Sequence, residues 1–407
     1  MSALFPFRAL RPAPAAAAAV ASVPYDVVTT DEARALAQGN PLSFLRVTRA
    51  EIDLPPETHP YDGRVYAQAV RNFEELTRAA PMVHEAEPSL YLYRLRMDGH
   101  EQTGVAGCFS VDEYEQNIVR RHEKTRRDKE DDRTRHMLEL RAQTGVVFLT
   151  HRASRAVSEV AARVTAGAPL YDIPAPDGVQ HTVWRATGAD VDALVAAFAA
   201  MPAVYIADGH HRAASAARAR GEIAAQGGRT ADASRFIAVS FPDDQVHILP
   251  YNRVVRDLGG LAAGDALDRI RAAGVTVAPG GPSPGRAGVV SMLLDGRWHA
   301  VTLPAQPPDT PRADALDVEV LQRVVLGPVF GIGDPRADKR LDFVGGIRGA
   351  AELERLVQSG GAAAAFAMYP VGLADLMAIA DAGGIMPPKS TWFEPKLADG
   401  MVSYVLD

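Results

Sequence analysis

The chain has 407 residues, 47% of them hydrophobic and 23% charged, with a formal net charge of -7. This is enough apolar material for a sizeable core split over two domains; no apolar run reaches the roughly 18 residues of a membrane span, and the acidic balance does not indicate a globally basic nucleic-acid binder. A single cysteine, Cys108, excludes an intrachain disulfide and a cysteine zinc site, which suits a reducing compartment.

The alanine run at 15–19, following Arg8 and Arg11, imitates a secretory leader. Pro12 and Pro14 interrupt it, and the Val23-Pro-Tyr-Asp-Val-Val segment reads as an ordered turn, so the expected location is cytoplasmic. Residues 31–38, ending before Gly39, predict a short helix, and Val70, Phe73 and Leu76 give helical spacing over 66–78. Residues 89–97 alternate as a strand, and Asp98-Gly99 turns it into a second strand over 102–110. A charged helical region is expected over 111–143, a strand over 146–150 and a helix near 155–164. A strand near 182–185 and a helix over 191–201 follow.

Residues 204–212 read Val-Tyr-Ile-Ala-Asp-Gly-His-His-Arg and lead into an alanine-rich stretch. The apolar run fits a buried strand, Asp208 and Gly209 a turn, and residues 213–220 a helix. The first amides of a helix have no internal acceptor and lie at the positive end of its dipole, so such a corner receives anions. His210, His211 and Arg212 would focus there on a phosphate, with Arg212 gripping it through two parallel hydrogen bonds. A plain capping role for Asp208 is the competing account, but basic side chains in a first turn oppose the dipole and call for a compensating anion.

Two strands, 236–241 and 246–249, are expected to pair across Pro242-Asp243-Asp244. The glycine- and proline-rich stretch at 257–286 places the domain boundary near 255, giving domains 1–255 and 256–407. The second should hold a hairpin turning at Asp295-Gly296, helices over 318–326, 350–358 and 373–382, and a strand over 364–369. Hairpins mixed with helix-linked strands predict a mixed α+β fold rather than a uniform doubly wound sheet.

Arg120 to His136 contains eight arginines or lysines and five acids. A solvated helix laced with ion pairs would explain it, but the compact His122-Glu123-Lys124-Thr125 segment makes Glu123 a candidate general base and Lys124 a phosphate partner. His122-Glu123 is not a helical zinc motif, because Arg126 stands where the second histidine would be. Tyr25, Asp26, Lys389, Ser390 and Trp392 lie in proline-bounded turns and are candidate substrate-rim residues. Lys389-Ser390-Thr391 is not a P-loop, since Pro388 replaces the glycine before the lysine.

The Asp208-Gly-His-His-Arg turn resembles the nucleotide-binding motif of the ParB/sulfiredoxin-like superfamily, and in full form that of the free L-serine kinases. The segments Phe5-Pro-Phe-Arg-Ala-Leu, Pro24-Tyr-Asp-Val-Val, His122-Glu-Lys-Thr, Asp131-Asp-Arg-Thr-Arg-His, Asp342-Phe-Val-Gly-Gly and Pro387-Pro-Lys-Ser-Thr-Trp-Phe-Glu-Pro-Lys resemble the family called domain of unknown function 1015. The resemblance implies a ParB/sulfiredoxin-like nucleotide-binding core with a second α+β domain. It implies phosphoryl transfer between ADP, ATP or CTP and a small hydroxylated metabolite, serine/phosphoserine first, in either direction. The catalytic candidates are then Glu123, Asp208 and His210; Gly209, His211, Arg212 and Lys124 would hold the nucleotide, and Asp208 would share Mg²⁺ with its oxygens. A ParB-like, nucleotide-gated DNA-binding or regulatory protein is the alternative; the basic 120–136 segment alone speaks for it. A sulfiredoxin-type activity is disfavoured, because His210 stands in place of the reactive cysteine and Cys108 lies in an expected strand.

Overall fold

A computed structural model describes residues 3–78 and 82–406. The chain forms two compact units, one of Met1–Arg121, Thr125–Val246 and Pro395–Asp407, the other of His122–Lys124 and His247–Glu394. The fold is mixed α+β, as expected. The division differs from the single boundary expected near 255, because the chain returns to the first unit for its last thirteen positions. No helix among the described residues is long and apolar enough to cross a membrane.

The first unit is built on a nine-stranded mixed sheet. Across it run Val119–Arg120, Val204–Asp208, Val147–His151, Arg235–Pro242, His100–Ser110, Leu90–Met97, Gln180–Ala186 and Tyr171–Pro174, with Leu4–Phe5 added beside His100–Ser110. Val204–Asp208 pairs in parallel with Val119–Arg120 and antiparallel with Val147–His151. The hairpin at Asp98-Gly99 has both turn residues at positive φ, 50° and 81°, the requirement that made this pair legible. Leu90, Tyr91, Leu92 and Tyr93 are all fully buried, so the alternation expected for a half-buried strand is lost where both faces of the sheet are covered.

The charged helical region expected over 111–143 holds two helices, with short strands and a coil beside them. A helix Val111–Glu115, the strand Val119–Arg120, a coil, a helix Arg127–Leu140 and the strand Ala142–Gln143 follow one another. Helix Arg127–Leu140 is not a solvated face: Asp132, Thr134, His136, Met137 and Leu140 are buried. It packs on helix Gly63–Arg78 and on helix His210–Ala225. The second contact is tied by Arg218 to Asp131 (2.6 Å) and by Ser215 Oγ donating to the Glu130 carbonyl (3.2 Å). A core of Phe44, Val47, Val65, Ala69, Phe73, Leu76 and Leu140 lies in this helical layer. A small sheet completes the unit, with Ser403–Val405 inserted between Ala9–Pro12 and Ala142–Gln143.

The second unit has a six-stranded antiparallel sheet in the order Thr276–Pro279, Arg297–Thr302, Val289–Leu294, Ala364–Ala367, Tyr251–Val255 and Leu341–Gly345. The Asp295-Gly296 hairpin is present, and helix Ala263–Ala272 occupies part of the stretch expected to be a flexible connection. The expected pairing of 236–241 with 246–249 does not form. His247–Leu249 pairs with Trp392–Glu394, while Arg235–Pro242 lies between His100–Ser110 and Val147–His151. Apolar alternation identifies a strand but not its partner. Gly345 and Gly346 are packing positions, since a Cβ would sit 2.7 Å from the Trp392 ring at one and 2.5 Å from the Pro250 carbonyl at the other.

Gly104, buried in the long strand of the first unit, has the same character. A Cβ there would lie 2.7 Å from Val239 Cγ1, 2.8 Å from Phe241 Cδ1 and 2.9 Å from the Ser240 carbonyl oxygen, a backbone atom that cannot rotate away. Gly104→Ala is expected to lower unfolding free energy by about 1–3 kcal/mol, the usual range for overpacking, and urea denaturation followed by circular dichroism measures it. An unchanged midpoint would show that the neighbouring strands yield freely.

Candidate active site

The strand Val204–Asp208 is buried from Val204 to Ala207. Its register with Val147–His151 slips at its end: Ile206 faces Leu149 and Asp208 faces Phe148, leaving Ala207 as an extra residue. This bulge re-aims Asp208 where the strand leaves the sheet. Gly209 follows at φ 94°, a left-handed conformation that a side chain would strain. A Cβ there would also meet Arg212 Nη1 at 3.3 Å and Val147 Cα at 3.4 Å. The helix therefore begins at His210, three residues earlier than the sequence suggested, and runs to Ala225 with no side chain capping it.

Arg212 is 8% exposed, and its guanidinium points inward. Nη1 donates to the Val146 carbonyl (2.5 Å), and Nη2 to Asp26 Oδ2 (2.9 Å), with Asp208 Oδ2 at 3.6 Å. The dipole opposed by this basic first turn is thus balanced by two carboxylates of the protein itself. Burial pushes the Asp208 carboxyl up, but Lys396, Arg212 and His210 outweigh it and hold the group well below the ordinary carboxylate range. Asp208 is ionised at neutral pH.

Lys396 and Asp399 were not singled out from the sequence. Lys396 Nζ lies 3.4 Å from Asp208 Oδ2. Asp399 is 4% exposed; its Oδ2 accepts the Tyr25 amide (3.1 Å), and its backbone forms a bridge with Ser22. Between them Ala398 N donates to the Tyr93 hydroxyl (3.4 Å), which is bonded to His181 Nδ1 (2.9 Å). Burial raises the Asp399 carboxyl to about 7, against the opposing pull of Arg212, while nearby Asp26 adds to the rise. The Asp399-Gly400 pair was their local trace: Gly400 has φ 86°, and a Cβ there would collide with Phe44 at 2.8 Å.

The expected residues fall into two groups. Tyr25, Asp26, Asp208, Gly209, His210, His211 and Arg212 all belong to the first unit. The Tyr25 ring is flanked by Arg212 (5.8 Å) and Arg133 (4.4 Å), and His211 Nε2 accepts the Arg126 amide (2.9 Å). Glu123 and Lys124 group with the second unit, as do Lys389, Ser390 and Trp392. Within that unit Lys389 lies over the Tyr251 ring (5.4 Å), Ser390 Oγ donates to the Pro387 carbonyl (2.7 Å) and Trp392 Nε1 donates to Glu394 (2.7 Å).

Among the described residues no group of three or more histidine, cysteine, aspartate or glutamate side chains is arranged to hold a metal. Asp208, flanked by a lysine and an arginine, does not fit the expected share in a Mg²⁺ site, because two cations at that range oppose a third.

A family model described as "Protein of unknown function (DUF1015)" matches residues 4–319. No curated protein matches the sequence. Among solved structures, a conserved hypothetical protein from Pyrococcus furiosus is similar at 13% identity and TM-score 0.37, covering 74% of this chain and 95% of that one. A free serine kinase in complex with AMP is similar at 12% identity and TM-score 0.36, covering 71% and 86%. SbnI with a C-terminal truncation, from Staphylococcus aureus, is similar at 9% identity and TM-score 0.41, covering 74% and 87%. At these scores the likenesses carry neither fold nor function to this chain.

The raised Asp399 has a consequence for stability. The folded state binds a proton more tightly than the unfolded chain, whose aspartate titrates near 3.9. The contribution is therefore complete below pH ~4 and is lost as pH rises through about 7. Asp399→Asn retains an acceptor for the Tyr25 amide without the charge. It is expected to be more stable than the parent at pH 8, by up to roughly 4 kcal/mol, with the advantage vanishing near pH 4. Thermal melts across that range check it; a difference independent of pH would place the raised carboxyl elsewhere.

Proposed function

We propose that this chain, which belongs to the family of unknown function DUF1015, is a phosphotransferase whose first unit is a ParB/sulfiredoxin-like nucleotide-binding core. The observation that carries this reading is the bulged strand end: it sets an ionised carboxylate, Asp208, beside an uncapped helix start. The first-turn amides and the helix dipole favour a phosphate there. Arg212, spent on the protein's own acids, acts by holding Asp208 and Asp26 in place rather than by gripping the phosphate directly.

In the proposed reaction the acceptor's hydroxyl oxygen forms a new bond to the terminal phosphorus of the nucleotide as the bond to the bridging oxygen breaks. The shortened nucleotide leaves with that oxygen. Asp208 orients the hydroxyl and accepts its proton, and His210 and His211 stand at the phosphate end. The transfer is reversible, and the first pair to test is serine and phosphoserine. Any Mg²⁺ would be brought by the nucleotide, and no step here depends on it.

Purified full-length protein mixed with ADP, ATP or CTP and either serine or phosphoserine, followed by phosphorus NMR, tests nucleotide, acceptor and direction together. A phosphomonoester signal growing or falling in step with the nucleotide is expected; silence in every mixture, with no nucleotide binding by calorimetry, would overturn the proposal. Asp208→Asn should keep nucleotide affinity within a few-fold while turnover falls by about 10²-fold or more. Arg212→Ala should unfold more easily, by about 3–5 kcal/mol, because it strands two acids beside a vacated buried site.

A further inference from the structure

The sheet of the second unit carries a cation where its neighbours are apolar. Tyr251–Val255 lies between Leu341–Gly345 and Ala364–Ala367, and Arg253 is opposite Phe343 on one side and Phe366 on the other. Residues opposite one another share a face, so the guanidinium leaves the backbone between two phenylalanines. The acid of the edge strand, Asp342, is opposite Val254, on the other face, and is paired with Arg256 at 2.8 Å.

Arg253 is 4% exposed, yet no carboxylate among the described residues pairs with it. Nη1 donates to the Tyr251 carbonyl and Nη2 to that of Pro388 at 3.4 Å. Two of its five N–H groups are thus used, and the other three have no acceptor among the described residues. Burial lowers the guanidinium to about 10, so it is still a cation at neutral pH, lying over the Phe343 ring at 5.4 Å. A methionine would fill the same space without taking a charge out of water, so packing alone does not account for an arginine here.

A strained turn brings a second cation to this cluster. Lys389 has φ 56°, a left-handed conformation uncommon for a long side chain. Ser390 Oγ holds the turn by donating to the Pro387 carbonyl, the Pro388 carbonyl meets Arg253, and Lys389 Nζ lies over the Tyr251 ring at 5.4 Å. Lys389 is exposed, and Tyr251, Phe343 and Trp392 are half-buried, so the cluster opens outward. The Tyr251 hydroxyl is a further donor, close enough to act on the charge of Arg253.

We propose that Arg253, Lys389 and the Tyr251 hydroxyl bind a phosphate dianion, free or as the end of a phosphomonoester, with Arg253 gripping two of its oxygens and Lys389 answering the second charge. A carboxylate would neutralise one of the two cations and leave the other unmatched. All of these residues belong to the second unit and none takes part in the transfer described above, so the site stands whether or not phosphoryl transfer occurs.

The full chain, without nucleotide, is titrated with inorganic phosphate, phenyl phosphate and acetate at about pH 8, where both phosphates are dianions. Ionic strength is held constant with chloride; calorimetry reads affinity and thermal melts read stability. At least one phosphate should bind tenfold or more tighter than acetate, and which of the two binds tighter tells the free ion from the ester. Lys389→Ala, a surface change, should weaken that binding at least fivefold, and Tyr251→Phe several-fold. Arg253→Met should melt at or above the parent without phosphate and below it at saturating phosphate, an inversion that a merely structural arginine would not give. If that variant fails to fold, the other two decide. Acetate binding as tightly, no phosphate binding, phosphate binding that the variants leave unchanged, or an Arg253→Met protein less stable than the parent in both buffers would each overturn the site. The expected results with a silent phosphorus spectrum in the transfer assay uphold the site and remove the transfer; transfer with none of them does the reverse.

Discussion

A buried arginine needs its charge answered within the protein, and Arg212 has drawn much of the candidate site around itself. Two acids and one carbonyl surround the guanidinium: Asp26 from the N-terminal turn, Asp208 from the strand end and Val146 from the neighbouring strand. Its Nε has no acceptor among the described residues. An uncompensated charge at this burial would cost several kcal/mol, so each partner must arrive in a defined place. Gly145 and Gly209 leave the room: a Cβ at either would press on the Arg212 side chain, at 3.2 Å and 3.3 Å.

The same constraint explains why the last part of the chain returns to the first unit. Lys396 adds positive charge to an Asp208 already close to Arg212, and Asp399 ties the Tyr25 turn through its side chain and Ser22 through its backbone. Tyr93, fixed by His181, anchors Ala398 between them. Ser403–Val405 then closes the small sheet that also contains Ala9–Pro12. A site residue, a turn anchor and a strand partner thus come from one short stretch after residue 394, and the core motif alone would lack one of its two cations.

What could be read from the sequence was what local chemistry dictates. Asp98-Gly99 and Asp295-Gly296 had to make hairpins because their conformations favour those residues, and the strand before Asp208 followed from its apolar run. Tyr25, Asp26 and the 208–212 turn, linked by resemblance and composition, do fall in one unit. Long-range pairing was not legible. Val119–Arg120 is a two-residue strand inside a charge run, with a neighbour 85 positions away. The Ala207 bulge appears only once the register with Leu149 and Phe148 is known. Lys396 ends the family-like segment 387–396 without a role of its own there, and Asp399 reads as an ordinary polar residue, since nothing local records that their partners are Asp208 and Tyr25. Lys389 and Trp392 were grouped with Tyr25 because all lie in proline turns, a similarity of turn chemistry that says nothing of location.

The inward turn of Arg212 changes which groups remain for a ligand. Had the guanidinium faced solvent, the corner would have been a cationic trap for any polyanion, with selectivity left to size. With Arg212 neutralised by Asp26 and Asp208, the positive field left at the corner is that of the helix start, weaker and more directional than a free guanidinium. Arg133 is likewise half-answered by Asp132, which itself accepts the Tyr66 hydroxyl at 2.7 Å. Fixed dipoles and partly screened charges distinguish ligands by the arrangement of donors and acceptors rather than by total charge, because an unmatched buried donor or acceptor costs more than a missing surface contact.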